Sequence, residues 1–165
     1  MSIKLKRYSR KGLTLVEGAL GLVVLIAVYA AATAAWTEVQ YRLSKSALSR
    51  QVAEISSGAS SWRGQRSNYS GVSMTVLCAA GQQSVGATTC GGVGGSGTNS
   101  NAYGGNFVLQ PHTNVSQLSL QITGLPASKI TNLADGLAQI TANQCASSVG
   151  CSTITVSGTS ITLVL

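Results

Sequence analysis

Hydrophobic positions follow three different patterns along this chain, and each pattern predicts a different kind of element. From Gly18 to Thr37 there are 20 residues without a charge, and leucine, valine and alanine dominate them. As a helix rising about 1.5 Å per residue, such a run reaches about 30 Å, which is the thickness of the hydrocarbon core of a bilayer. The first pattern therefore predicts a membrane-spanning helix.

The second pattern continues the helix beyond this apolar run. After Trp36, apolar residues recur mostly at steps of three and four, which places them on one face of a helix. A coiled coil is the alternative, but only about three heptads are available and small residues interrupt them. We expect one helix from Leu13 to Arg63, apolar all round over 13–37 and amphipathic over 38–63. The predicted stripe is Val39, Leu43, Ala47, Leu48, Val52, Ile55, Ala59 and Trp62.

The third pattern consists of short strand-like runs after residue 63. A short helix is expected among them, with Ser128 as its N-cap, and Ser157-Gly158-Thr159 is typical of a hairpin turn. A long helix followed by strands predicts an α+β fold, with a helical spine packed on an antiparallel sheet. Residues 64–165, which we call the head, are enough for one core. The predicted strands are Met74–Ala79, Phe107–Gln110, Gln117–Ile122, Thr153–Val156 and Ser160–Leu165.

A glycine-rich stretch lies in the first part of the head. Gly91 to Gly105 contains seven glycines in fifteen residues, which favours a flexible surface loop. No lysine follows in the spacing of a phosphate-binding loop, and no strand–loop–helix context surrounds the glycines. Nucleotide binding is therefore not expected.

The N-terminal junction carries the most specific chemistry. A basic leader with Lys4, Lys6, Arg7, Arg10 and Lys11 ends at Gly12, and Glu17 is the only charge between Lys11 and Glu38. By the positive-inside rule, we expect the basic end to stay in the cytoplasm and the rest of the chain to face the outside. A secretory signal peptide and a plain single-pass anchor are alternatives. Two observations argue against a signal peptide. The apolar run is longer than a usual signal h-region, and a carboxylate inside an apolar run is energetically costly, which indicates that it has a function.

Gly12, Leu13 and Glu17 together resemble the cleavage junction of type IV prepilins. The resemblance implies that prepilin peptidase, a membrane enzyme, cuts after Gly12 and that the new N-terminus, Leu13, becomes N-methylated. Glu17 is then the glutamate at the fifth mature position. The type IVa branch and the type II secretion pseudopilins commonly have phenylalanine at the position of Leu13. Leucine there is similar to the type IVb branch, whose mature N-terminal residue varies. The likeness is closest to major pilins of the thin-pilus kind found on conjugative plasmids and enteric bacteria.

The position of Glu17 also has a physical interpretation of its own. A carboxylate buried among apolar helices either becomes neutral or pairs with a cation. The nearest cation after cleavage is the Leu13 amine, from the same subunit or from a neighbour. Pairing with a neighbour would fix the axial register of a polymer, so we predict that Glu17 is an assembly residue.

Four cysteines lie in the head, on the side of the membrane where disulfides persist. Cys78, Cys90, Cys145 and Cys151 allow three pairings, and proximity in sequence favours Cys78–Cys90 with Cys145–Cys151. The pilin family implies a competing picture, in which a C-terminal disulfide bounds a larger loop. Zinc binding is not expected, because the spacing is unlike a zinc site and His112 is the only histidine.

The inventory of charged residues argues against an enzyme and against a nucleic-acid-binding protein. The acidic residues Glu17, Glu38 and Glu54 belong to the spine, and Asp135 is expected on the solvated side of a short helix, so no catalytic set can be assembled. The net charge is +7, but without the leader six basic and four acidic residues leave +2. Arg63 and Arg66, near Trp62 and Tyr69, are expected to form a polar helix end rather than a nucleic-acid site.

The sequence thus predicts a structural protein without cofactors: a leader at 1–12, a spine at 13–63 and a β-rich head at 64–165. The resemblance implies a major type IVb pilus subunit that waits in the inner membrane of a Gram-negative-type bacterium and then polymerises with copies of itself. Dedicated inner-membrane machinery would build the extracellular pilus, for adhesion, aggregation or conjugative mating. A minor pilin or type II secretion pseudopilin is one alternative. An uncleaved, membrane-anchored surface-binding module is another.

Overall fold

A computed structural model describes residues 15–64, 66–81 and 84–165 of the chain. The chain divides after Tyr41 into two units, residues 1–41 and 42–165. Within the described residues the fold is α+β, with one long N-terminal helix and one antiparallel sheet. The predicted fold class is therefore confirmed.

The long helix α1 covers Leu15–Arg63, or 49 residues. Its C-terminal end is the one predicted, while its predicted start at Leu13 lies outside the described residues. In the second unit, Leu48, Val52, Ile55 and Ala59 are buried, so the predicted apolar stripe does form one face of the core. Leu43 is 60% exposed, so the buried part of the stripe begins later than the periodicity suggests.

In its described residues, the head adds three short helices and four strands. Gly64 follows α1 with a φ of 44°, in the left-handed region that glycine adopts without a steric penalty, and it ends the helix. The further helices are α2 (Met74–Leu77), α3 (Ala87–Cys90) and α4 (Ile130–Ala138), with a 3-10 turn at Ala127–Lys129 before α4. The strands are β1 (Phe107–Pro111), β2 (Leu118–Ile122), β3 (Ile154–Ser157) and β4 (Ser160–Val164).

The four strands form one sheet in the order β1-β2-β4-β3, with every neighbouring pair antiparallel. The side chains alternate between two faces. Leu109, Leu120, Leu163 and Ile154 lie opposite one another on the buried face. The apolar face of α4 is also buried, through Ile130, Leu133, Ala134, Leu137 and Ala138.

A tight turn joins β3 and β4. Ser157 pairs with Ser160, so Gly158 and Thr159 form a two-residue loop, and Gly158 has a φ of 57°. A two-residue hairpin loop needs a positive φ at its first central residue, which is why glycine stands there. The hairpin expected from the sequence is confirmed.

Two local predictions were wrong. Met74–Ala79 is not a strand: Ser73 caps a helical turn there by accepting a hydrogen bond from the Val76 N–H, which makes Met74–Leu77 helical. Ser128 is not the N-cap of α4, because it lies inside the 3-10 turn that precedes the helix. At Met74 a side-chain hydrogen bond overrides the local apolar pattern. At Ser128 the bond from the Lys129 N–H to the Pro126 carbonyl (3.0 Å) closes a 3-10 turn before the helix begins.

The glycine-rich stretch is held by hydrogen bonds rather than projecting freely. Gln51 on α1 donates from Nε2 to the Ser100 carbonyl (2.8 Å) and accepts from the Ala102 N–H (3.0 Å). Asn101 donates to the Thr123 carbonyl at 2.7 Å and accepts from the Gly105 N–H at 2.9 Å. The sequence did not indicate these two amide side chains as the anchors of the loop.

Candidate assembly site and the disulfide-bonded loops

The predicted assembly residue Glu17 lies in the first turn of α1. A carboxylate at this end of a helix interacts favourably with the partial positive charge of the helix dipole. Gly12 and Leu13, the predicted cleavage and methylation residues, lie outside the described residues. Of the three predicted junction residues, Glu17 is the one that lies in the described part of the chain, within α1.

The side chains in the apolar half of α1 are almost entirely exposed in the part of the chain that the structure describes. Its length and composition are sufficient for a helix that crosses a membrane. Apolar surface of this extent needs lipid or other helices to cover it, because a helix that is apolar all round is stable only when buried. The large side chains that are at least 59% exposed are Val16, Leu20, Leu22, Val23, Val24, Leu25, Ile26, Val28, Tyr29 and Trp36.

Two glycines lie in this half of the helix. A Cβ atom built on Gly18 or Gly21 has no atom within 4 Å. Nothing in the described chain therefore requires glycine at either position.

The first disulfide joins Cys78 to Cys90 and closes a loop against α1. Both cysteines are fully buried. Glu54 of α1 accepts two hydrogen bonds of 2.6 Å, from the Gly86 N–H and from the Thr89 hydroxyl. The loop passes so close to the helix that a Cβ on Gly58 would lie 2.8 Å from the Ser84 carbonyl oxygen.

The second disulfide joins Cys145 to Cys151 and closes a smaller loop. These are the two local pairings that proximity in sequence favours. Here a carboxylate of α4 holds the loop. Asp135 accepts from the Ser148 N–H (2.8 Å), the Ser148 hydroxyl (2.7 Å) and the Ser147 hydroxyl (3.0 Å).

Asp135 lies on the polar side of α4, as expected, and it also anchors a loop through its carboxylate. The Ser148 N–H, with the two serine hydroxyls, holds the pKa of Asp135 below its ordinary value, and the charge of Lys45 contributes in the same direction. Each disulfide-bonded loop is thus fastened by one helix carboxylate that accepts both a backbone N–H and a hydroxyl. The sequence spacing alone did not reveal either contact.

We expect the stability of the head to fall in acid partly because of Asp135. Its pKa is lower in the folded state, so its contribution is complete above the unfolded value of about 3.9 and is lost as the pH falls through the folded pKa. Thermal unfolding of the wild type and of Asp135→Asn between about pH 6 and about pH 2 measures this contribution. The wild type should melt higher near neutral pH, and the difference should shrink in acid. A difference that is constant with pH would contradict the prediction.

We also expect the two disulfides to differ in their contribution to stability. Cys78 and Cys90 are fully buried and 12 residues apart, whereas Cys145 and Cys151 are only 6 apart. By loop-closure entropy alone, removing the first costs about 3 kcal/mol and the second slightly less. Burial of the Cys78–Cys90 bridge adds to the difference. Denaturant unfolding of Cys78→Ser/Cys90→Ser and of Cys145→Ser/Cys151→Ser tests the order, and equal losses would contradict it.

The two arginines near the helix end stack on aromatic rings of their own chain. The Arg63 guanidinium carbon lies 4.9 Å from the centre of the Tyr69 ring, and that of Arg66 lies 4.4 Å from the Trp62 ring. Arg66 also donates to the Trp62 carbonyl, one of the last carbonyls of α1. These contacts cap the helix and cover one face of each guanidinium.

His112 is placed in a turn that follows β1. Its Nδ1 accepts from the Asn114 N–H at 3.3 Å, and its Nε2 lies 3.4 Å from the Thr113 hydroxyl. Among the described residues, no three His, Cys, Asp or Glu side chains come together as a metal-binding group. The chemistry that the described residues do bring together is structural: anchored loops, capped helix ends and an uncovered apolar helix.

Comparisons with known proteins returned nothing. No family model, no curated protein and no solved structure matches this chain. Its function therefore has to follow from its own residues.

Proposed function

We propose that this chain is the major structural subunit of a type IVb-like pilus. Prepilin peptidase removes residues 1–12, the Leu13 amine is methylated, and the mature subunits polymerise through α1. The observation that supports this proposal most strongly is the uncovered apolar half of α1, with Glu17 in its first turn as the one carboxylate from Leu15 to Thr37.

The proposed assembly contact is an ion pair between Glu17 and the Leu13 amine of a neighbouring subunit. In a bundle of apolar helices the carboxylate loses its water, and removing one partner of such a buried pair costs about 3–5 kcal/mol. The pair therefore selects one axial register among many that would cover the apolar side chains equally well. Before assembly, the same helix half lies in the inner membrane.

In this proposal the head faces the outside of the filament. Two disulfides suit an extracytoplasmic location, because such bonds persist in oxidising compartments. As the prepilin resemblance implies, the filament serves adhesion, aggregation or conjugative mating, and inner-membrane machinery assembles it. The alternatives are a minor pilin or pseudopilin and an uncleaved, anchored surface-binding module.

Mass spectrometry of the protein in surface material sheared from cells tests the proposal. We expect an N-terminus at Leu13, one methyl group on its amine and four oxidised cysteines. An intact Met1 would reject processing and favour the anchored module. Electron microscopy of the same material, with quantification of this chain in the filaments, separates a major subunit from a minor pilin or pseudopilin.

A further inference from the structure

A cleft of about 200 Å³ lies beside β1, between the start of α2 and the glycine-rich stretch. One wall carries Ser73 and Thr75, and the other carries Ser96, Thr98 and Asn106. Every described side chain that lines the cleft is neutral, so a charged ligand would find no partner of opposite sign there. Because pockets for drug-sized ligands measure about 300–1,000 Å³, we expect this smaller cleft to hold a single small ring.

The backbone of Leu109 contributes one donor and one acceptor to the cleft. The Phe107 N–H donates to the Gly97 carbonyl at 2.8 Å, on the side of β1 away from β2. By alternation the N–H and C=O of Leu109 point the same way, and Leu109 lines the cleft. None of the described residues is placed as the partner of these two groups. Backbone groups at this depth need a partner, which is either water or a ligand.

Polar side chains around the cleft supply further donors and acceptors. The Ser73 hydroxyl accepts from the Val76 N–H at 3.3 Å, which leaves its own O–H to donate. Asn106 accepts from the Asn99 N–H through Oδ1 at 2.9 Å, which leaves its Nδ2 N–H groups to donate. Thr75 is exposed, and its hydroxyl can both donate and accept. This mixture of donors and acceptors matches the hydroxyl groups of a sugar, because each of them also does both.

Apolar side chains lie beneath these polar groups. Met74, Phe107 and Leu109 line the same cleft, and each is at most 4% exposed. Sites for small molecules combine an apolar lining with a few polar groups that orient the ligand. A pyranose ring matches this arrangement, because it has C–H groups on its faces and hydroxyl groups around its edge.

The first disulfide holds both walls of the cleft. Cys78 directly follows α2, and its partner Cys90 accepts the Gly97 N–H through its carbonyl at 3.0 Å. Gly97 in turn accepts from Phe107 of β1, so the glycine-rich wall is fastened to the disulfide and to the sheet. A cleft whose walls are fixed before binding loses less conformational entropy when a ligand enters.

We propose that this cleft binds one neutral pyranose unit of a surface glycan. The Leu109 backbone and the side chains of Thr75 and Asn106 are its hydrogen-bonding partners. A ligand of about a dozen non-hydrogen atoms binds such a cleft with a Kd of about 1 mM. The role in adhesion rests on the proposed function, because a filament repeats the cleft in every head. Many weak sites on one polymer raise the overall affinity for a glycan-coated surface by about 10²–10⁴.

Saturation-transfer difference NMR on sheared filaments tests the cleft. The probes are the methyl glycosides of glucose, galactose and mannose, with methyl glucuronide as the charged comparison. Wild-type filaments should transfer saturation to at least one neutral glycoside. Transfer to the glucuronide should be weaker than to the glucoside, because the described lining offers no cation to a carboxylate.

Three variants locate the binding. Thr75→Trp and Thr98→Trp fill the cleft from opposite walls, so each should abolish the transfer. In the matched control, Thr155→Trp, the same side chain replaces an exposed threonine of β3, at the other edge of the sheet, and binding should equal that of the wild type. Melting temperatures show whether the variants are folded.

A fourth variant removes one hydrogen bond without filling the cleft. Thr75→Val keeps the shape of the side chain and loses only the hydroxyl, so the Kd should rise about two- to tenfold. This variant decides the matter if both cleft-filling variants fail to fold. An unchanged Kd in Thr75→Val would then contradict the site.

The outcomes distinguish the two proposals. Filaments with a Leu13 N-terminus that transfer no saturation to any neutral glycoside would overturn the sugar site and leave the pilus proposal intact. Equal transfer in Thr75→Trp, Thr98→Trp and Thr155→Trp would also overturn it, as would stronger transfer to the glucuronide. If the chain forms no filaments, the pilus proposal falls. The same measurement on the full chain, in a detergent without a sugar headgroup, then tests the cleft by itself.

Discussion

Replacing Glu17 by alanine is expected to abolish filaments while leaving cleavage after Gly12 intact. The peptidase acts at the junction before the helix, whereas the carboxylate is needed only when the Leu13 amine of a neighbour is buried beside it. Leaving that amine unpaired costs about 3–5 kcal/mol at every subunit contact. Electron microscopy of sheared material, with mass spectrometry of the N-terminus, separates the two steps.

Two further variants isolate the role of the charge. Glu17→Gln keeps the size and much of the hydrogen-bonding capacity of the side chain, so a loss of filaments in this variant assigns the effect to the ion pair. Glu38→Ala removes another carboxylate from the same helix, outside the uncharged run, and should assemble as the wild type does. Abundant filaments from Glu17→Ala, indistinguishable from the wild type, would refute the proposed assembly contact.

Gly105→Ala is expected to destabilise the head strongly, because the added methyl group has no room. A Cβ at this position would lie 1.9 Å from the Thr123 carbonyl oxygen and 2.8 Å from Asn101 Nδ2. The first of these is backbone, which cannot move aside without breaking the hydrogen bond between the Thr123 N–H and the Asn106 carbonyl. We expect a loss of at least about 3 kcal/mol, at the upper end of the cost of overpacking. Chemical denaturation of the purified protein measures it.

The neighbouring glycine provides the control. Gly104 has a φ of 79°, and a Cβ there would meet nothing within 4 Å, so Gly104→Ala introduces only backbone strain of about 1–2 kcal/mol. If Gly105→Ala cost no more than Gly104→Ala, the packing of the glycine-rich stretch against the sheet would differ from the one described.

The prediction of α1, β1, β2 and the β3–β4 hairpin succeeded because each has a clean periodicity or a turn that fixes its register. Leu118, Leu120 and Ile122 alternate without interruption, and all three are buried. Met74–Ala79 failed because an apolar run of that length fits a strand or a helical turn equally well. The Ser73 cap decides between them, through a hydrogen bond that periodicity does not encode.

Only part of the candidate site could be predicted from the sequence, because the other part depends on contacts between residues that are far apart along the chain. Glu17 and its uncharged surroundings are local, so composition and spacing alone single them out. Glu54, Gln51 and Asp135 act on loops 12 to 51 residues away, and only the folded chain brings these groups within hydrogen-bond distance. The sequence shows which carboxylate and amide side chains are present. It does not show which backbone N–H groups will donate hydrogen bonds to them.

The sequence by itself determined the α+β class, the C-terminal end of the long helix, the lone carboxylate in its apolar half and the pairing of neighbouring cysteines, because each is a property of neighbours along the chain. The tertiary structure decided that the glycine-rich stretch is anchored, that each disulfide loop is fastened to a helix and that β1 and β3 form the edges of the sheet. Those features depend on which distant backbone groups are left to be hydrogen-bonded once the core has formed.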